Sequence, residues 1–331
     1  MPSPHIEEVT LVEKALITLP HTHLSYRMPL SYARYGKANV RLLKVRKDPS
    51  NPEKQDVIEL RVRCLLEGDI ETSYTKADNS VIVPTDTVKQ TTYILAKKGE
   101  VWPIELFAAR LANHFITTYG HIHGAHVDIQ QYRWTRYNVQ GKPHPHSFIQ
   151  DGTEQRTVNL VKRENTPFEI TSGIKGLTVL KSTGSMFYDF NVDDYTILQP
   201  TKDRILSTDV DTTWHWTKTG VPDLKTVTKL ATNGVFDEVY NKARNQTLET
   251  FALENSASVQ ATMYNISNQL LAAAPGIDRV SFALPNKHYF NIDLSWHHGL
   301  KNTGKDAEVF APQSDPNGHI ESVVSRDTAK L

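Results

Sequence analysis

The chain has 331 residues, with 39% hydrophobic and 22% charged side chains, a balance that suits a globular protein of about two ordinary domains. Lys plus Arg and Asp plus Glu each number 37, which argues against a nucleic-acid or acidic-membrane partner. The single cysteine excludes an intrachain disulfide, and no apolar run approaches the ~20 residues that span a bilayer.

Residues 1–30 carry Pro2, Pro4, Glu7, Glu8, Glu13, Lys14 and Pro20. They are too charged and interrupted for a secretory signal and read as a flexible N-terminal extension. Val40 to Asp48 and Val57 to Glu67 follow as a strand pair, joined by a polar linker with Pro49 and Pro52. In the second strand Ile58, Leu60, Val62, Cys64 and Leu66 alternate with charged residues, so Cys64 reads as a core residue and not a nucleophile. Thr85 to Lys98 and Ile104 to Tyr119 read as helices. The second has Pro103 at its start, Ile104, Phe107, Leu111 and Phe115 on one face, and Gly120 past its end. Ala125 to Arg136 and Ser147 to Lys162 are further strands.

The second half repeats that order. Leu177 to Thr183 and Arg204 to Trp216 read as strands, then a helical region runs from Leu224 to about Leu253. Another helix begins near Ser256, with Val259, Met263, Ile266 and Leu270 on one face. Strands Val280 to Leu284, Tyr289 to Leu294 and His319 to Ser325 close the chain. The pattern strand-strand-helix-helix-strand-strand, twice over, predicts an α+β fold with antiparallel sheets, split into repeats at 31–165 and 166–328. The last three residues, Ala329-Lys330-Leu331, are a close variant of the Ser-Lys-Leu address read by the peroxisomal import receptor, so 329–331 predict a peroxisomal location.

Several long segments together resemble the urate oxidase family, and its fungal branch most: ARYGKANVRLLKV, LLEGDIETSYTKADNSVIVPTD, RWTRYNVQGKPHPHSFI, GLTVLKSTGSMF, DRILSTDVDTTW, NSASVQATMY and the stretch from LPNKHYF to PNGHI. The resemblance covers the chain from about Ser31 onward. It implies the tunnelling fold, with two repeats per chain, a barrel closed by two chains and a homotetramer of two stacked barrels. It also implies active sites shared between subunits, urate and dioxygen as substrates, and no cofactor or metal. The products would be 5-hydroxyisourate and hydrogen peroxide, and a peroxide producer suits a peroxisomal address.

The resemblance assigns roles residue by residue. Arg204 in DRILS matches the arginine that grips a planar oxyanion edge, which a guanidinium does with two parallel bonds. Gln260 in SVQATMY matches the glutamine holding the opposite edge, and Val259 beside it sits in a first helical turn, where backbone amides favour an anion. Phe187 in GSMFYDF matches the stacking aromatic, and Leu198 a residue lining the pocket. Lys37 in RYGKAN and Thr85 in VPTDTV match the family's Lys-Thr proton relay, with Asp86 contacting urate through its backbone. His288 in PNKHYF matches the relay histidine. Asn286 matches the asparagine holding dioxygen or water, and its parity with His288 puts both on one face of an extended segment.

Two other readings compete. His121, His123 and His126 could ligate zinc in a metal-dependent purine or pterin enzyme, but on a strand His126 faces away from the other two. His144 and His146 could likewise be ligands, but the prolines interrupting GKPHPHSFI favour a structured loop. An inactive purine-binding relative would lack Lys37, Thr85 or His288, and all three are present.

Overall fold

Alternation governs the sheet. In a computed structural model of the chain, which describes residues 28–326, the row Ile58, Leu60, Val62, Cys64 and Leu66 is at most 1% exposed, while Glu59, Arg61 and Arg63 face the other way. That row belongs to β2 (Gln55–Gly68), which pairs antiparallel with β1 (Tyr35–Lys47). Burial raises the Cys64 thiol to about 12, which leaves it protonated and inert. Most of the N-terminal extension and the final Ala329-Lys330-Leu331 lie outside the described residues. The compact unit begins at Ala33.

After β2 come a short helix α1 (Glu71–Thr75), α2 (Thr85–Lys98) and α3 (Ile104–Thr118). Then follow β3 (Ile122–Tyr132), a hairpin of β4 (Thr135–Val139) and β5 (Lys142–Ile149), and β6 (Gln155–Arg163). The second half runs β7 (Glu169–Lys181), β8 (Leu206–Trp216), α4 (Leu224–Thr232), α5 (Val235–Leu253), α6 (Val259–Ala273), β9 (Ile277–Asn291) and β10 (Phe310–Ser325). The main sheet is antiparallel throughout, in the order β1-β2-β3-β6-β7-β8-β9-β10. This is the expected α+β architecture, and among the described residues of one chain the sheet is open, with β1 and β10 at its edges. The helices pack on it: α2 on β1, α3 on β3 and β6, α5 on β7, and α6 on β9 and β10. No helix among the described residues is long and apolar enough to cross a membrane.

The core between helices and sheet is large and aromatic. Phe107 and Phe115 of α3 are fully buried, as are Trp214 of β8 and Phe236 of α5, each side chain contributing ~1.5–3 kcal/mol by leaving water. One buried polar chain crosses it. Arg156 donates to Glu105 of α3 (2.9 Å) and pairs with Asp237 of α5. Ser172 donates to the other Glu105 oxygen (2.7 Å), and the Trp216 indole donates to Ser172 (3.0 Å). Glu105 is 0% exposed, so the pairing of each oxygen is what makes its burial tolerable.

The differences from the expected elements have local causes. The helical region from Leu224 splits, because Asn233 and Gly234 bond back to Lys229 and Ala231 and Gly234 takes φ +73°. The two short strands expected around residue 285 are one continuous β9. The loop expected around His144 and His146 is the β4–β5 hairpin.

Candidate functional site

Lys37 is aimed by a bulge. Below it in β1, Val40 is 5% exposed, and Lys44 donates to the Ala96 and Gly99 carbonyls at the end of α2 (2.8 and 2.7 Å), so even-numbered residues face the helices. Val40 pairs with Val62, but Lys37 pairs with Cys64: β1 uses one residue more than β2. Asn39 absorbs the irregularity at φ +57°. Odd-numbered Lys37 is thereby switched onto the helix-facing row of Cys64. Tyr35 shares that row, and its hydroxyl accepts the Val83 N–H (2.7 Å), which ties the approach to α2 against β1.

The helix α2 begins at Thr85, right after Pro84, and no side chain caps it. The first-turn N–H groups, including those of Thr85 and Asp86, have no intrahelical acceptor and point where an anion would be held. Thr85 and Asp86 are exposed. A hydrogen bond from Lys89 holds the Asp86 carboxyl below its ordinary range, and the charge of Lys37 adds to that effect, which puts Lys37 within electrostatic reach of this helix start. Lys37 stands on the face of β1 against which α2 packs, and with Thr85 and Asp86 at the start of that helix makes up one group.

A second group gathers around the link between β7 and β8. The Arg204 N–H donates to the Ser185 carbonyl (3.0 Å), and its Nε lies 3.4 Å from the Ser185 hydroxyl. Its guanidinium carbon sits 5.1 Å from the centre of the Phe187 ring, a cation over an aromatic face. Phe187 exchanges two backbone hydrogen bonds with Thr201 (both 2.8 Å) and stacks on Phe190 at 4.9 Å. Burial lowers the Arg204 pKa, yet a guanidinium stays charged. Leu198 lies in the same link, 56% exposed.

The start of α6 adjoins this link. Ser185 and Ser256 form a parallel bridge: the Ser256 N–H donates to the Gly184 carbonyl (3.0 Å) and the Met186 N–H to the Ser256 carbonyl (2.8 Å). The Ser258 hydroxyl accepts the Ala261 N–H (3.1 Å) as helix cap. That leaves the amides of Val259 and Gln260 without intrahelical acceptors, with Val259 buried and Gln260 exposed.

Asn286 and His288 lie on β9, two residues apart, beyond the core row Val280, Phe282 and Leu284. Asn286 is paired with Thr208 on one side and Gly318 on the other, beside the irregularity of β10 between Gln313 and Gly318. Its Oδ1 is buried with no hydrogen-bond partner, an acceptor that a ligand or water would satisfy. Within the described residues, no hydrogen bond, ion pair or ring contact joins the Lys37 group to the Arg204 group.

Of the candidate metal histidines, His123 and His126 are held by carboxylates, whereas His121 packs edge to face on Tyr119 and its buried Nε2 has no hydrogen-bond partner among the described residues. His123 lies between Asp69 (3.0 Å) and Glu164 (3.1 Å), and His126 is bonded to Glu67 (3.0 Å) in a buried position. His144 and His146 have their rings edge to face at 4.6 Å on the hairpin. Among the described residues no group of three or more His, Cys, Asp or Glu is placed to hold a metal ion. Tyr35, Lys181 and Ser185 brace the two groups without any sequence motif to mark them, and Ser256, legible only as a helix start, does so as well. One signal was available: Lys181 shares the parity of buried Leu177 and Val179, an odd place for an ammonium.

The uricase sequence profile matches residues 33–161 and 170–321. A uricase of Cyberlindnera jadinii is 56% identical over 303 residues, covering 91% of this chain and 99% of that protein. A uricase of Aspergillus flavus is 56% identical over 300 residues, covering 90% and 97%. The crystal structure of a uricase from Arthrobacter globiformis, 36% identical, superimposes with a TM-score of 0.79 over 92% of this chain and 97% of that one. The fold is thus the tunnelling fold of those structures.

Proposed function

The chain belongs to the uricase family, and on that premise we propose that it oxidises urate with dioxygen and water to 5-hydroxyisourate and hydrogen peroxide, without a cofactor. The observation that carries the reading is the meeting of the Arg204 guanidinium and the Phe187 ring at 5.1 Å beside the open first turn of α6. Urate is a flat anion with donors and acceptors on its rim. Arg204 takes one edge through paired charge-assisted bonds, Gln260 and the Val259 amide take the other, and Phe187 covers a face. Leu198 closes the apolar side.

Catalysis requires proton removal and a place for dioxygen. Lys37 accepts the Thr85 proton as the hydroxyl takes one from urate, directly or through water, and the Asp86 amide steadies the anion. Asn286 offers its unpartnered Oδ1 as acceptor to the O–H of a water or of the developing peroxide, and His288 relays protons to that peroxide. The electron-rich deprotonated purine is itself the reductant of dioxygen.

The separation of the two groups within one chain favours sites made between chains. The Lys37, Thr85 and Asp86 of one subunit would complete the Arg204 half of another, within a homotetramer. The Ala329-Lys330-Leu331 end favours delivery to the peroxisome. The test follows urate absorbance and peroxide together in chelator-treated protein: loss of urate with equimolar peroxide supports the reading. Urate left intact, with zinc-restored activity on another purine or pterin, refutes it.

A further inference from the structure

We propose that Lys181 is a positioning residue of the urate subsite, its ammonium fixing the start of α6 against the loop that carries Phe187 and Arg204. The proposal rests on the urate oxidase reading above.

Lys181 is the last residue of β7, on the row of buried Leu177 and Val179, and so turns inward under the helices. Its ammonium donates to the Glu254 carbonyl and to the Ser256 hydroxyl, both at 2.8 Å, and lies 5.3 Å from the centre of the Phe251 ring. All three partners belong to the end of α5 or to the short connection into α6. Lys181 therefore ties that connection directly to the sheet.

What the connection does explains why the tie matters. Ser256 is 1% exposed, and the Thr262 hydroxyl, one turn into α6, also donates to its hydroxyl (3.1 Å). The Ser256 backbone bridges Ser185, and the Ser185 carbonyl accepts the Arg204 N–H. From Ser256 it is three residues to Val259, and from Ser185 two to Phe187. One ammonium thus sits at the junction of both walls of the subsite. Without it, the buried Ser256 hydroxyl and the Glu254 carbonyl each lose a charged donor, and the connection is free to shift.

Within one chain, among the described residues, no hydrogen bond, ion pair or ring contact joins Lys37, Thr85 and Asp86 to this junction, so the fold of the relay group does not depend on Lys181. The role thus predicts a defect in binding that exceeds any defect in turnover. The probe is urate itself: under anaerobic conditions it binds without reacting, and its Kd is read directly by equilibrium dialysis.

In Lys181→Met the anaerobic Kd and KM for urate rise about tenfold while kcat falls less than about twofold. Lys181→Arg, which keeps a charged donor, recovers most of the affinity. Ser256→Ala, which keeps the backbone bridge but removes one acceptor, raises Kd by a smaller factor and serves if Lys181→Met does not fold. Parental Kd in folded Lys181→Met or in Ser256→Ala overturns the proposal, as does a fall in kcat at unchanged Kd. A parent protein that neither binds nor oxidises urate defeats the functional reading itself, a result separable from a normal parent with normal variants.

Discussion

Lys37 illustrates how one backbone irregularity decides a side chain's role. Counting parity from Val40 would put it on the face away from the helices, and the bulge at Asn39 reverses that. The two groups then have separable kinetic signatures. Thr85→Ala lowers kcat about 100-fold with anaerobic urate affinity changed only a few-fold, the size expected for lost acid–base assistance. Arg204→Ala raises the urate Kd about 100-fold, through two lost charge-assisted bonds. Equal losses in binding and turnover at Thr85 would contradict a relay there. His123 behaves differently, as a stability device. Its hydrogen bond to Asp69, helped by Glu164, raises its pKa. A raised histidine contributes stability that is fully present below the unfolded value of about 6.5 and is lost as pH rises through the folded value. His123→Gln therefore lowers Tm at pH ~5.5 and has little effect at pH ~8.5; a loss independent of pH would contradict the ion-pair account. The site exposure of His123 keeps the effect small.

At the scale of elements, what was legible in the sequence depended on how locally each signal is encoded. The bounds of the helix Thr85–Lys98 are legible to the residue, with Pro84 just before it and Gly99 just after it, although its four threonines are weak helix formers. The break between α4 and α5 is encoded just as locally, in Asn233-Gly234, a turn signal that the single helical region expected from Leu224 to about Leu253 passes over. Gly234 occupies the left-handed region at φ +73° with open space around it, so Gly234→Ala meets no clash and costs ~1–2 kcal/mol from backbone strain alone. Urea titration checks this, and a variant as stable as the parent would show that the turn tolerates another conformation. By contrast Pro285, Asn286 and Lys287 interrupt the apolar pattern of β9, so the sequence predicts two strands there. Pairing to β8 on one side and β10 on the other carries the strand through them. The hairpin around His144 was hidden for the same reason: Pro143 and Pro145 sit on strands that pair only with each other.

For the whole molecule, sequence periodicity reaches the order of elements and stops. The candidate residues came from long motif resemblance, and their division into two groups became visible only in three dimensions. Among the described residues the sheet of one chain has two unpaired edges, and apolar side chains such as Tyr195, Ile197 and Trp296 stand exposed on its loops, 92%, 91% and 78%. Those features fit a chain that completes its surface and its sites with further copies of itself. The most direct measurement co-expresses Thr85→Ala chains with Arg204→Ala chains and assays urate oxidation by the mixture. Assayed at urate near the parental KM, each variant alone is nearly inactive. If every site takes its Lys37–Thr85 group from one chain and its Arg204 group from another, random pairing leaves one intact site in each mixed pair, and activity returns to about a quarter of the parental value. A mixture no more active than the two variants assayed separately would contradict a site shared between chains.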